Sequence, residues 1–222
     1  MFDLPEMRSK DPDTWTFVNA LNEIMSKGSD QGKLSRYISE YPGGYWTVRA
    51  AMLLAQAYMD MENLQEAERF LLLASKAAPT PVESVQIELL LGRHSSNTGA
   101  ASKAVGHFER SKRLLHDIPE DDWPEGMEAA ILFGRANALY ESGRIATAEV
   151  AYEGALESFP DDPLAEFARV RLARCAMLLH KPVDDSEHAD DLGGSTYWGS
   201  ISDSYGSFLD WFGRAKRRAQ VP

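Results

Sequence analysis

The chain has 222 residues, 44% hydrophobic and 26% charged, long enough to bury a sizeable core. Its formal net charge of −11 opposes binding to a phosphate backbone, so no nucleic-acid partner is expected. No apolar run of 18 or more residues spans a membrane, and the single cysteine, Cys175, excludes an intrachain disulfide or a thiolate metal cluster. The opening run Met1–Glu6 lacks the basic and apolar regions of a signal peptide. The expected compartment is therefore the cytoplasm, or the periplasm or a membrane periphery if an export segment has been removed.

Residues 12–27 predict an amphipathic helix with Trp15, Val18, Leu21, Ile24 and Met25 on one side. Asp11, Asp13 or Thr14 would cap it and Gly28 would end it. Residues 31–41 predict its partner, completing a degenerate first hairpin. A patterned unit follows: Ala51–Tyr58, then Ala67, Leu71, Ala74 and Pro79. The next contains Leu91, Gly92, Gly99, Ala104, Phe108 and Ser111. Residues 117–126 are acidic and bounded by prolines, which predicts an extended loop projecting from the fold. A third unit has Ala136, Leu139, Gly143, Ala148, Tyr152, Ala155 and Pro160. Residues 163–180 predict another first helix. The run 182–191 is acidic and non-helical by pattern, so the fourth hairpin loses its regular second helix.

In each unit a small residue is followed four positions later by a large one, and seven positions later by another small one. Residues four and seven apart share a helix face. Small residues at the ends of such a triplet let two helices approach closely, while the large residue fills the partner's groove. Each unit is thus a helix–turn–helix hairpin. One hairpin cannot bury its own apolar face, so several stack.

The pattern resembles the tetratricopeptide repeat family. Leu54, Ala55, Tyr58, Ala67, Leu71, Ala74 and Pro79 match its motif, as do Leu91, Gly92, Ala104 and Phe108, with His116 where proline is usual. The triplets begin 37 and 44 residues apart, against a usual period of about 34. Aromatic-proline pairs at Tyr41-Pro42 and Phe159-Pro160 are followed at equal distances by Leu54-Ala55 and Leu172-Ala173. This looks like the repeats of bacterial envelope proteins such as BamD and CpoB, which are lipidated or exported, whereas this chain shows no export signal.

The resemblance implies an all-α fold, a right-handed superhelical stack of antiparallel helix hairpins, with first helices lining an inner groove. Projected onto this chain, the groove positions are Arg49, Met52, Gln56 and Met59; Gln86, Leu89, Arg93 and Ser96; Ala130, Phe133, Asn137 and Tyr140; and Phe167, Val170, Arg174 and Met177. Arginines would pair with carboxylates, and methionines and aromatics would accept apolar side chains of a peptide. Any of these positions can equally be core or ordinary surface. The family's chaperone-binding form clamps a terminal carboxylate with lysines and asparagine; only Asn137 stands suitably here, without matching lysines.

Nothing in the sequence has the spacing of a metal site, a serine-centred nucleophile or a phosphate loop, so neither a cofactor nor catalysis is expected. Glu187, His188, Asp190 and Asp191 read as a solvated acidic linker rather than a metal site. In the C-terminal tail, Trp198, Tyr205, Phe208, Leu209, Trp211 and Phe212 precede Arg214, Lys216, Arg217 and Arg218. Tyr205, Phe208, Leu209 and Phe212 share one helical face. A capping helix over the open end of the stack is the favoured reading. The alternatives are an interfacial helix on anionic lipid, or docking to a partner or a second copy. The expected organisation is a repeat domain over 1–183 and a linker with a capping helix over 184–222. The expected function is a scaffold or adaptor binding a peptide or partner protein in the groove, with a membrane-peripheral envelope assembly factor as the alternative.

Overall fold

A computed structural model describes residues 11–27 and 31–180. Among these the fold is all-α. The helices are α1 (Pro12–Lys27), α2 (Gln31–Glu40), α3 (Thr47–Asp60), α4 (Leu64–Lys76), α5 (Pro81–Asn97), α6 (Ala101–His116), α7 (Met127–Glu141), α8 (Ile145–Ser158) and α9 (Ala165–His180). A short 3-10 turn covers Glu120–Asp122. The chain divides into two compact units, Met1–Ala100 and Ala101–Pro222. In each unit consecutive helices pack on one another, as expected of a tetratricopeptide-like helical solenoid. The expected boundary at 183/184 lies outside the described residues.

In the first unit α2 packs on α1 and α3, and α3 on α4; α5 packs on both α4 and α3. Asp11 caps α1, its carboxylate accepting from the Thr14 amide at 3.1 Å. Among the α1 side chains described, Phe17, Val18 and Ala20 are buried and Trp15 and Leu21 half-buried; Ile24 and Met25 of the expected stripe lie outside the described side chains. Phe17 stacks on Trp46 at 5.0 Å and tilts against Tyr37 at 5.5 Å. Polar bonds lock the same cluster. The Tyr37 hydroxyl donates to Asp13, Asp13 accepts from the Tyr45 amide at 3.0 Å, and Trp46 Nε1 donates to Thr14 at 2.7 Å. Burial, reinforced by the Asp13 carboxylate, holds the Tyr37 phenol well above its ordinary pKa. Gly44 is demanded by this packing, since a Cβ there would lie 2.7 Å from the Tyr37 hydroxyl.

The repeat triplets occupy the positions that their spacing predicts. Ala67, Leu71 and Ala74 on α4, Ala104, Phe108 and Ser111 on α6, and Ala148, Tyr152 and Ala155 on α8 are all fully enclosed. In the second unit α6 packs on α7, α7 on α8 and α8 on α9. α6 and α7 approach tightly at Gly134, where a Cβ would meet the Phe108 ring at 2.5 Å. The loop after α6 does not project. Ile118 and Pro124 are buried, Trp123 Nε1 donates to the Ile118 carbonyl at 2.9 Å, and the Trp123 ring stands edge-on to His116 at 5.6 Å.

The turns after α3, α5 and α7 share one backbone pattern. Amides of Glu62, Gly99 and Gly143 donate to carbonyls three residues back, and those of Asn63, Ala100 and Arg144 to carbonyls five back. The central residue is left-handed in all three, with φ of 59°, 73° and 78°. Two are glycine; Glu62 bears the steric cost of a Cβ in that region.

Two substitutions test this account by thermal or urea unfolding. Glu62→Gly raises stability by about 1 kcal/mol, because the strain of a left-handed non-glycine residue is removed. Gly134→Ala lowers it by about 1–3 kcal/mol despite the better helix propensity of alanine, because the Phe108 ring must move.

Candidate functional site

The first helices of neighbouring hairpins lie side by side within each unit, α3 with α5 and α7 with α9. These four helices carry the positions projected for the groove. On α3 and α5, Met52, Met59, Gln56, Gln86 and Arg93 are buried, while Arg49, Leu89 and Ser96 are half-buried. On α7 and α9, Phe133 is only 1% exposed and Asn137 is buried, whereas Ala130, Tyr140, Phe167 and Arg174 are half-buried. Val170 and Met177 are exposed. The tail residues Trp198, Phe208, Trp211, Phe212, Arg214, Lys216, Arg217 and Arg218 lie outside the described residues.

The arginines of the first unit are engaged internally. Arg49 Nε donates to Glu83 Oε1 at 3.0 Å, and its guanidinium lies 4.9 Å from the Trp46 ring. Glu83 has a second role. Its other oxygen accepts from the Thr80 amide at 2.8 Å while Thr80 Oγ1 accepts from the Glu83 amide at 3.2 Å, a capping box that starts α5 behind Pro81. Arg93 Nη1 donates to Gln56 Oε1 at 2.5 Å. Gln56 in turn donates to Asp60 at 2.6 Å, one helical turn onward. Two buried acceptors on α5, Gln86 Oε1 and Ser96 Oγ, have no hydrogen-bond partner.

The second unit repeats this layout with different residues. Asn137 Nδ2 donates to Glu141 Oε1 at 2.7 Å, again one turn onward. An arginine from the next first helix stands nearby: Arg171, over Tyr140 at 4.6 Å and Phe167 at 5.1 Å. The Tyr152 hydroxyl donates to Asn137 Oδ1 at 3.2 Å, tying the inner face to the buried triplet of α8. Asn137 is thus committed within the fold, on both its nitrogen and its oxygen.

Asp60 and Glu141 end these chains and are themselves exposed. Crowding by surrounding atoms pushes both carboxyls above their ordinary pKa, while the donor amide (Gln56 or Asn137) and the nearby arginine (Arg93 or Arg171) pull back. Burial also raises the Cys175 thiol, helped by Glu149, so it is not primed as a nucleophile. Among the described residues no group of histidines, cysteines and carboxylates is arranged to hold a metal, and no helix is long and apolar enough to cross a membrane.

Sequence reasoning passed over Asp60, Glu141 and Arg171. The signal was present as Gln56-x3-Asp60 and Asn137-x3-Glu141, an amide and a carboxylate one turn apart in corresponding first helices.

The tetratricopeptide repeat model matches residues 48–81, which cover α3, α4 and the start of α5. No curated protein and no solved structure matches the chain.

The raised carboxyls predict a pH effect. In the folded state each prefers its proton more than in the unfolded chain, so each detracts from stability above its folded pKa, and the loss is recovered as pH falls through that value. Asp60→Asn combined with Glu141→Gln should therefore be more stable than the parent at neutral pH. Melting curves should show the gap closing as pH drops through the carboxylate range.

Proposed function

We propose, on the premise that residues 48–81 are a tetratricopeptide repeat, that the chain is a scaffold whose inner helix faces hold a segment of a partner protein. Repeats of this kind are protein-interaction modules, and binding of an extended or helical segment requires no chemistry from the fold. The observation that carries the finer reading is the recurrent carboxylate. Asp60 and Glu141 are exposed at equivalent places, each anchored by an amide one turn earlier.

The arginines give the charge preference. Arg49 is paired with Glu83, Arg93 with Gln56, and Arg171 lies over two rings. What each inner face offers outward is therefore a carboxylate beside apolar and aromatic surface. With a net charge of −11, this favours segments in which lysine or arginine alternates with apolar residues. Long-range attraction and the local site then act in the same direction.

The test is fluorescence anisotropy with short synthetic peptides, basic, neutral or acidic, against the parent chain and the Asp60→Lys/Glu141→Lys variant. Both positions are exposed, so helicity should be retained and is checked by circular dichroism. Basic peptides should bind best, weaken with added salt, and lose about tenfold in affinity or more on charge reversal, which is ~1.4 kcal/mol. Equal binding of acidic peptides, or indifference to the reversal, would sink the reading.

A further inference from the structure

Helix α6 carries a charge opposite to that of the chain as a whole. It holds Lys103, Arg110, Lys112 and Arg113 against a single acid, Glu109, in a chain whose net charge is −11. Lys103, His107, Arg110 and Arg113 fall on one helix face, and the three cations of that face are exposed. Glu109 does not balance them, because it reaches α7, where Arg135 pairs with it at 3.4 Å. Arg113 suits the C-terminal end of a helix dipole, but Lys103 stands in the first turn, where a cation is unfavourable. Gly106, in the middle of the stripe, weakens the helix relative to alanine, and no packing among the described residues requires it. A Cβ there would meet only the Arg110 guanidinium, at 3.8 Å.

The opposite charge follows at once. Asp117 stands four residues beyond Arg113, the spacing of one helical turn, and Glu120, Asp121, Asp122 and Glu125 come after it; all five are exposed. Among the described residues no ion pair joins Lys103, Lys112 or Arg113 to a carboxylate, nor Asp117, Glu120, Asp121 or Asp122 to a cation. The surface is thus bipolar: a basic stripe about 15 Å long, at ~1.5 Å per residue, ends where an acidic run begins.

We propose that the stripe and the run pair reciprocally between two copies of the chain. In a two-fold arrangement with the α6 helices antiparallel and the axis between residues 113 and 117, the stripe of each copy lies on the acidic run of the other. Each pairing then occurs twice. An acidic segment of a different protein fits less well. Laid on the stripe, it would end against five carboxylates of its own sign and leave them uncovered. A nucleic acid meets the same obstacle with more charge. The net charge of −11 repels a second copy at a distance, but salt screens that repulsion beyond ~8 Å, whereas stripe and run meet in contact. The pairing uses none of the inner-face positions and is independent of peptide binding there.

Sedimentation velocity on the full chain tests the proposal at about 1 to about 100 μM, where contacts of modest area associate. Two variants reverse the two halves: Lys103→Glu/Arg110→Glu/Arg113→Glu and Glu120→Lys/Asp121→Lys/Asp122→Lys. Circular dichroism checks that each keeps its helicity. The parent should pair, and each variant alone should dissociate at least tenfold more readily. Mixed one to one, the two variants should pair with each other, because the reversed stripe fits the reversed run and the unaltered halves still match. A gentler set, Lys103→Gln/Arg110→Gln/Arg113→Gln, should weaken pairing in the same direction and reads the stripe should the reversed helix fray. A parent that stays monomeric over the whole range would overturn the proposal. So would a dimer indifferent to both reversals, or a mixture that fails to pair. A monomer whose stripe instead binds a synthetic oligoglutamate peptide would assign the surface to a foreign partner, and would equally overturn it.

Discussion

Everything in this fold depends on how closely a second helix can lie on the first. Ala67 and Ala74 on α4, and Ala148 and Ala155 on α8, remove side-chain bulk where the backbones meet. Leu71 and Tyr152 between them fill the space that remains, each burying a large side chain worth about 1.5–3 kcal/mol. The first helices answer with Ala55 and Ala136, also fully enclosed. Interiors packed to this density transmit strain instead of absorbing it. The Phe108 ring against Gly134 shows the limit, where a glycine within a helix is tolerated because nothing larger fits. A helix held this tightly has one orientation, and its orientation decides which residues face inward.

The polar inner faces inherit their order from that packing. In the second unit the connection is direct: Tyr152, centre of the α8 triplet, donates to Asn137, which donates to Glu141. The exposed carboxylate is therefore positioned by a residue of the core. In the first unit the order comes from the neighbouring hairpin, through Arg93 and Gln56 to Asp60. Glu83 does the corresponding service for Arg49, since the same carboxylate that closes the capping box of α5 also neutralises the guanidinium. Removing it would leave a cation largely withdrawn from water and a frayed helix start together.

The triplets, the glycine turns and the helix order were legible in the sequence because they follow from period and backbone conformation, which act locally. What escaped was long-range. Arg49 and Glu83 are 34 residues apart, and neither position announces the other. Phe17 is buried against the parallel ring of Trp46, the residue that precedes the third helix, which no pattern within α1 announces. Residues 117–126 read as a projecting loop from their prolines and acids, yet two apolar residues and the indole of Trp123 draw them back against α6. Glu62 occupies a left-handed turn that Gly99 and Gly143 mark plainly in the other hairpins, a conformation that its own residue type conceals. Phe133 and Asn137 stand at groove positions by count; their burial reflects side-chain direction, which counting along a helix does not supply.

The ends of such a fold pose a problem that its middle does not. Each internal first helix is closed by its own second helix, α4 on α3 and α8 on α7, and Ala55 and Ala136 are fully enclosed. At α9 the sequence stops obeying the period: Pro182 follows within two residues of the helix end, and five acids occupy the run where the next apolar face should begin. Proline there forbids continuation of the helix, and carboxylates disfavour burial.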